Sequence, residues 1–300
     1  MMHGPLQSWH RLFLPFLALA LLAGCGGDGE SASEADRMAE EHEGDTPTAT
    51  EAAQAPAIPV EGDTVTYGEQ DGTDLTGYLA EPASVDSVLD ARDADALPGI
   101  VVIHEWWGLN DNIRAAARRL AGEGYRALAV DLYGDTVAET PDSAQALMEE
   151  AMDAPEQLVD NINMGRSYLT SETDAPRTAV LGWCFGGGLT FRTLANVPSE
   201  YDAAVAYYGT PEPLGDEALE ALDTPVLAHF GTEDRAVSIE EARSFRDRAE
   251  EAGAPVTYHE YEAGHAFANP SGEQYDADAA EQAWGRTSDF LQTHLVPEGE

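Results

Sequence analysis

The 300-residue chain carries 56 acidic residues against 15 basic ones, a formal charge of −41. That charge excludes nucleic acid as a partner, since phosphates would be repelled at ordinary salt, and 43% hydrophobic residues exclude a wholly disordered chain. Every basic residue is an arginine, and acids interleaved with patterned apolar segments point to a folded protein of strong brine, where a Debye length of about 3 Å screens self-repulsion.

The chain opens on a weakly positive stretch (His3, His10, Arg11), followed by eleven residues from Leu12 to Leu22 that are almost wholly apolar. The run is too short to cross a bilayer and suits the core of a signal peptide. It ends in "LAGC", Leu22 to Cys25, which resembles the cleavage signal of bacterial lipoproteins. The resemblance implies that residues 1–24 are removed and that the Cys25 thiol takes a diacylglycerol. An amino terminus with more than one acyl chain holds a membrane stably. The expected place is therefore outside the cytoplasm, on the periplasmic side or in the cell envelope. Gly26 after the cysteine, rather than an aspartate, favours the outer membrane. Cys184 is then a lone thiol in an oxidising compartment.

Residues 25–60 are rich in Gly, Ser, Ala, Thr, Pro and acid, and read as a solvated, disordered tether. The folded domain is expected over 61–297. "TVTY" and "LTGYLA" flank Asp71-Gly72, a hairpin signal. "GIVVIH" (99–104) is a continuous apolar run, the mark of a strand buried on both faces. A helical pattern follows over 113–124, then a strand at 125–133, helices around 142–152 and 156–171, and a strand at 177–183. Beyond the glycines come a helix, strands at 203–209 and 224–231, a helix at 238–253, a strand at 255–261 and a last helix from about 277 to 294. Buried strands alternating with amphipathic helices make an α/β fold, a mainly parallel, doubly wound sheet flanked by helices behind an N-terminal hairpin.

Open parallel sheets place their chemistry beyond the carboxyl ends of the strands. Cys184 stands at such an end, in "LGWCFGGGLT", with Gly182 and Gly186 at the spacing of a G-x-S-x-G nucleophile turn and cysteine in the serine's place. At a helix N-terminus the free N–H groups and the dipole favour a thiolate. The base must come later. His229 lies mid-strand, His259 within a strand and His294 at the end of the last helix, whereas His265 in "YEAGHAF" follows a strand end. For the orienting acid, the loop "FGTEDRAV" offers Asp234 and its neighbour Glu233.

"GWCFGG", "GTEDRAV" and "YEAGHAF", in that order and spaced by 50 and 31 residues, together with "HEWWGLNDNIR" and "AVDLYG", resemble the dienelactone hydrolase family of the α/β-hydrolase fold. The resemblance runs through nearly the whole folded region. It implies a triad of Cys184, Asp234 and His265, settling the acid and the base over their rivals. It also implies an oxyanion hole from the backbone N–H groups of Phe185 and Trp106, and a role for Glu105 in controlling the thiol. A buried pairing of Glu105 with an arginine such as Arg114 is the competing expectation. Trp107, Tyr133 and Asn269 are expected in the substrate pocket.

One departure stands out. The family's carboxylate-gripping arginines are replaced by Asp135 and Asn269 in the corresponding neighbourhoods, and these residues cannot form a bidentate carboxylate clamp. The expected activity is hydrolysis of small esters or lactones through a thioester. A thioesterase of the same fold and a non-catalytic small-molecule-binding lipoprotein are the alternatives. The histidines lack Cys or His partners at ligand spacing, so no metal or cofactor is expected. A monomer is expected.

Overall fold

The computed structural model describes residues 34–42, 44, 45, 48 and 55–296. The signal segment 1–24 and Cys25 lie outside the described residues.

The Asp71-Gly72 signal does what its chemistry demands. Both residues take positive φ, 53° and 80°, the requirement of a tight two-residue hairpin turn. They join β1 (Val60–Gln70) to β2 (Thr73–Pro82), an antiparallel pair running from Val60 opposite Pro82 to Gln70 opposite Thr73, with its register shifted once between Thr66 and Gly68. The parallel strands follow as β3 (Gly99–Ile103), β4 (Arg126–Val130), β5 (Thr178–Trp183), β6 (Ala203–Tyr207), β7 (Val226–Gly231) and β8 (Val256–Tyr261). Every residue of β3, β5, β6 and β7 is buried. Continuous apolar runs are therefore central strands covered on both faces.

The helices, in chain order, are α1 (Glu34–Glu41), α2 (Val85–Arg92), α3 (Asp111–Gly122), α4 (Pro141–Met152), α5 (Pro155–Glu172), α6 (Phe185–Asn196), α7 (Asp216–Glu220), α8 (Ile239–Ala252) and α9 (Ala277–Leu295). Local signals set several ends. Ser238 and Glu241 form a reciprocal capping box at the start of α8, and Gly253 ends it at φ 69°. Helix α2 carries little periodic apolar signal and has no fully buried residue, α7 is a single short turn of five residues, and α1 is amphipathic but almost without large apolar side chains.

Among the described residues, eight strands form one sheet in the order β1-β2-β4-β3-β5-β6-β7-β8. The chain leaves β3 toward β4 on one side and resumes at β5 on the other. That reversal is the switch point at which open α/β sheets build their sites. Ile103 is level with Gly182, so the segments after β3 and β5 emerge side by side. Gly231 is level with Tyr261, which brings the segments after β7 and β8 together in the same way.

The turn after β5 needs its glycines. A Cβ on Gly182 would lie 2.2 Å from the Gly186 carbonyl oxygen, and one on Gly186 would lie 2.5 Å from that of Ile103. Between them Cys184 adopts φ 53° and ψ −117°, a conformation that costs a non-glycine residue on the order of 1–3 kcal/mol.

Candidate active site

Each strand end delivers one side chain. Cys184 sits at the N-terminus of α6 with its own N–H bonded to the Tyr207 carbonyl at 3.0 Å. Asp234, in the segment after β7, accepts the backbone N–H groups of Ala236 and Val237 on Oδ1, both at 2.8 Å. Its Oδ2 lies 2.8 Å from Nδ1 of His265, in the segment after β8, and Nε2 of His265 lies 3.3 Å from Cys184 Sγ. The sequence places these three residues 50 and 31 positions apart; the sheet brings them into one relay.

The rivals are elsewhere. His229 is enclosed in the core, bonded to Tyr261 Oη at 2.8 Å and Thr287 Oγ1 at 3.1 Å. His259 stacks on it at 6.0 Å, His294 packs on Phe290, and Glu233 is exposed.

Electrostatics favour a thiolate. Burial by itself raises the Cys184 thiol, but the imidazoles of His265 and His42 outweigh it and bring the thiol down to about 6. Burial likewise lowers His265, and the neighbouring Asp234 carboxylate and Cys184 carry it well above the ordinary imidazole value. Both shifts favour a thiolate beside an imidazolium.

Glu105 is buried directly after β3 and His104. Burial, reinforced by the charge of Cys184, pushes its carboxyl up to about 8. The expected arginine is not its partner, since Arg114 lies over the Tyr78 ring at 5.1 Å. Instead Asn269 Nδ2 donates to Oε2 at 2.8 Å and Tyr208 Oη to Oε1 at 3.3 Å. Asn269 in turn accepts from Asn112 at 3.1 Å. Asn269 thus holds the glutamate as well as lining a cavity with Glu105, Asn112, Tyr208 and Trp284. Asp135, the other departure, is exposed and accepts from Thr76 at 3.3 Å.

Trp106 and Trp107 are fully buried against each other at 5.3 Å, their indole N–H groups without hydrogen-bond partners among the described residues. Tyr133 is half-buried and stacks on Phe185 at 6.0 Å. Phe185 is the first residue of α6, where backbone N–H groups lack intrahelical acceptors.

The expectation of a solvated tether does not hold for residues 34–42, 44 and 45. Helix α1 lies over the nucleophile, and Cys184 is only 2% exposed. Met38 Sδ is 3.4 Å from Cys184 Sγ, and Nε2 of His42 is 4.0 Å from it. His42 packs on Trp106 at 4.8 Å and edge-on to His265 at 5.4 Å. Its Nδ1 is bonded to Asp45 at 2.6 Å, and Glu41 pairs with Arg235 at 3.6 Å. The available signal was slight: Met38 is the one large apolar residue between Gly26 and Pro56, with His42 four positions on, hence on the same helical face.

Met38 and His42 both lie against Cys184 Sγ, which is cut off from solvent beneath them. Removing residues 1–54 is therefore expected to raise both the rate of Cys184 alkylation and kcat/KM for a small ester by at least about tenfold, the factor for a cover closed about nine-tenths of the time. Equal rates for the whole and shortened chains would show that α1 does not limit access.

A model described as the dienelactone hydrolase family matches residues 84–295. The chain belongs to that family. It is 31% identical over 236 residues to a protein called usf from Aquifex pyrophilus, an alignment covering 76% of this chain and 97% of the relative. It is 29% identical over 270 residues to a protein of Saccharolobus solfataricus provisionally named carboxymethylenebutenolidase, covering 75% and 96%. The crystal structure of a provisionally assigned dienelactone hydrolase from Klebsiella pneumoniae superposes with a TM-score of 0.66 at 26% identity, covering 78% of this chain and 98% of that one. This dienelactone hydrolase family member is an enzyme, a carboxylic ester hydrolase acting on small ester or lactone substrates. Met38 and His42 lie before the matched segment.

Proposed function

We propose that Cys184 is the nucleophile of ester or lactone hydrolysis, His265 its proton carrier and Asp234 the group that orients His265. The observation that carries this reading is the unbroken relay from Asp234 Oδ2 through His265 to Cys184 Sγ, at 2.8 and 3.3 Å. The thiolate adds to the carbonyl carbon, and the tetrahedral oxyanion is received by the backbone N–H groups of Phe185 and Trp106. The alkoxide leaves with the proton of His265, forming an acyl thioester. Water, giving its proton to His265, attacks the thioester, and the acid departs as the thiolate re-forms. Glu105, held by Asn269 and Tyr208, sets the field around the sulfur. Because burial keeps its carboxyl protonated near neutrality, it does not compete as a second anion.

Hydrolysis of p-nitrophenyl acetate in several molar salt tests the reading. With the thiol brought down to about 6 by the imidazoles, kcat/KM is expected to rise through about pH 6 and fall tenfold per unit below it. An acid limb near 8.5, the value of an unassisted thiol, would refute the ion pair.

The exported, lipid-anchored state rests on "LAGC" at 22–25 and the preceding apolar run. It is supported if radiolabelled fatty acid enters the expressed chain and Cys25→Ser blocks it. Adaptation to brine rests on the charge of −41 and the missing lysine. The melting temperature is expected to drop below roughly 1 M salt as screening is lost; a value constant from dilute buffer to brine would sink that reading.

A further inference from the structure

Catalysis in this site uses one histidine, yet two converge on the sulfur. Nε2 of His265 is 3.3 Å and Nε2 of His42 4.0 Å from Cys184 Sγ, and these three atoms all lie within 4.8 Å of one another. A fourth donor, Met38 Sδ, is 3.4 Å from the same sulfur. All four residues are buried. Four ligands held about 2.0–2.3 Å from one ion in a tetrahedron lie about 3.3–3.8 Å apart; the sulfur's distances to His265 and Met38, 3.3 and 3.4 Å, already match, and the His42 nitrogen at 4.0 Å is close to it.

The surroundings support the same reading. Each imidazole has its Nδ1 bonded to a buried carboxylate, His42 to Asp45 at 2.6 Å and His265 to Asp234 at 2.8 Å. A carboxylate behind each ring fixes the tautomer that leaves Nε2 free to ligate, the usual arrangement behind metal-bound histidine. For His265 catalysis explains that carboxylate. For His42, which helps to lower the thiol but passes no proton in the proposed hydrolysis, catalysis explains it only in part.

We propose that Met38, His42, Cys184 and His265 form a binding site for a monovalent soft metal ion, copper(I). The thioether separates the two candidate ions: it is a ligand of soft copper(I) and not among the Cys, His and carboxylate donors of zinc, whereas thiolate and imidazole suit both. On binding, the protons held between Sγ and the two Nε2 atoms leave to solvent and the ion takes their place. The nucleophile is then a ligand, so copper binding and hydrolysis exclude each other. That consequence rests on the proposed role of Cys184; the binding itself does not. Chain spacing hints only at the Met38–His42 pair, four positions apart; Cys184 lies 146 and 142 residues from them and 81 from His265.

The test is an anaerobic competition of the full chain, carrying Cys25→Ser to remove the second thiol, against the chromophoric copper(I) chelator bicinchoninate. One equivalent of copper is expected to transfer, with X-ray absorption reporting two sulfur and two nitrogen neighbours. Affinity is expected to fall on the order of 10–100-fold in His42→Ala and in Met38→Leu, and the copper concentration that halves ester hydrolysis is expected to rise by the same factor. His42→Gln, with alkylation of Cys184 reporting whether α1 is still docked, separates a lost nitrogen ligand from a detached helix. Unchanged affinity in His42→Gln and Met38→Leu, a single sulfur neighbour, or zinc bound as tightly as copper would overturn the proposal. If copper transfers as expected while the parent chain lacks esterase activity, it is the hydrolytic reading that fails.

Discussion

Cys184→Ala is expected to lower kcat for ester hydrolysis on the order of 10⁴-fold or more, with little change in melting temperature. The activity loss follows from the relay: His265 and Asp234 retain their 2.8 Å bond, but no atom remains to attack the carbonyl, and members of a catalytic relay fail together rather than additively. The fold should tolerate the change because alanine takes the same backbone conformation as cysteine at φ 53°, and the sulfur's packing partners include Met38 of α1 rather than only the sheet. Cys184→Ser keeps an oxygen nucleophile but not a ready anion. A hydroxyl stays protonated where the thiol falls to about 6, so His265 must act as general base, and the acid limb of the pH profile should move up toward the imidazole's own value. Steady-state kinetics and melting curves of both variants decide the matter. Turnover equal to the parent in each would remove Cys184 from the reaction.

Asp234→Asn is expected to cost on the order of 10³–10⁴-fold in kcat. The amide oxygen can still accept the N–H groups of Ala236 and Val237, which now bond Oδ1 at 2.8 Å, so the loop should hold its shape. The other end of the amide is an N–H donor facing His265 Nδ1. The imidazole must then accept on Nδ1 and carry its proton on Nε2, the tautomer that cannot take a proton from sulfur. With the carboxylate charge gone, His265 loses the neighbour that raises it, and the thiolate loses imidazolium support. The acid limb should therefore move well above 6, a displacement that loss of packing alone would not produce. An unmoved limb with kcat reduced less than tenfold would make Asp234 a structural residue only.

Local chemistry made much of the framework legible. The Asp71-Gly72 turn, the apolar strands β3, β5, β6 and β7, and the helix from Ser238 to Gly253 are all encoded within a few residues, because turn conformation, strand burial and helix periodicity are short-range demands. The glycines beside Cys184 were readable for the same reason: a Cβ at either would strike a backbone oxygen. Glu105 was legible as a buried acid but not for its partners. Asn269 and Tyr208 reach it from 164 and 103 residues away, and no pattern along the chain ranks such partners against Arg114.

The sequence by itself determined the succession of strands and of the helices α3 to α6, α8 and α9, the strained turn that carries the thiol, and the loops holding Asp234 and His265. Only the tertiary structure decided that α1 returns across 146 residues to lay Met38 and His42 on Cys184. The physical reason is one of scale. Backbone conformation follows from each residue and its neighbours, whereas the company a buried sulfur keeps depends on how the whole sheet closes and on which distant segment fills the space left above it.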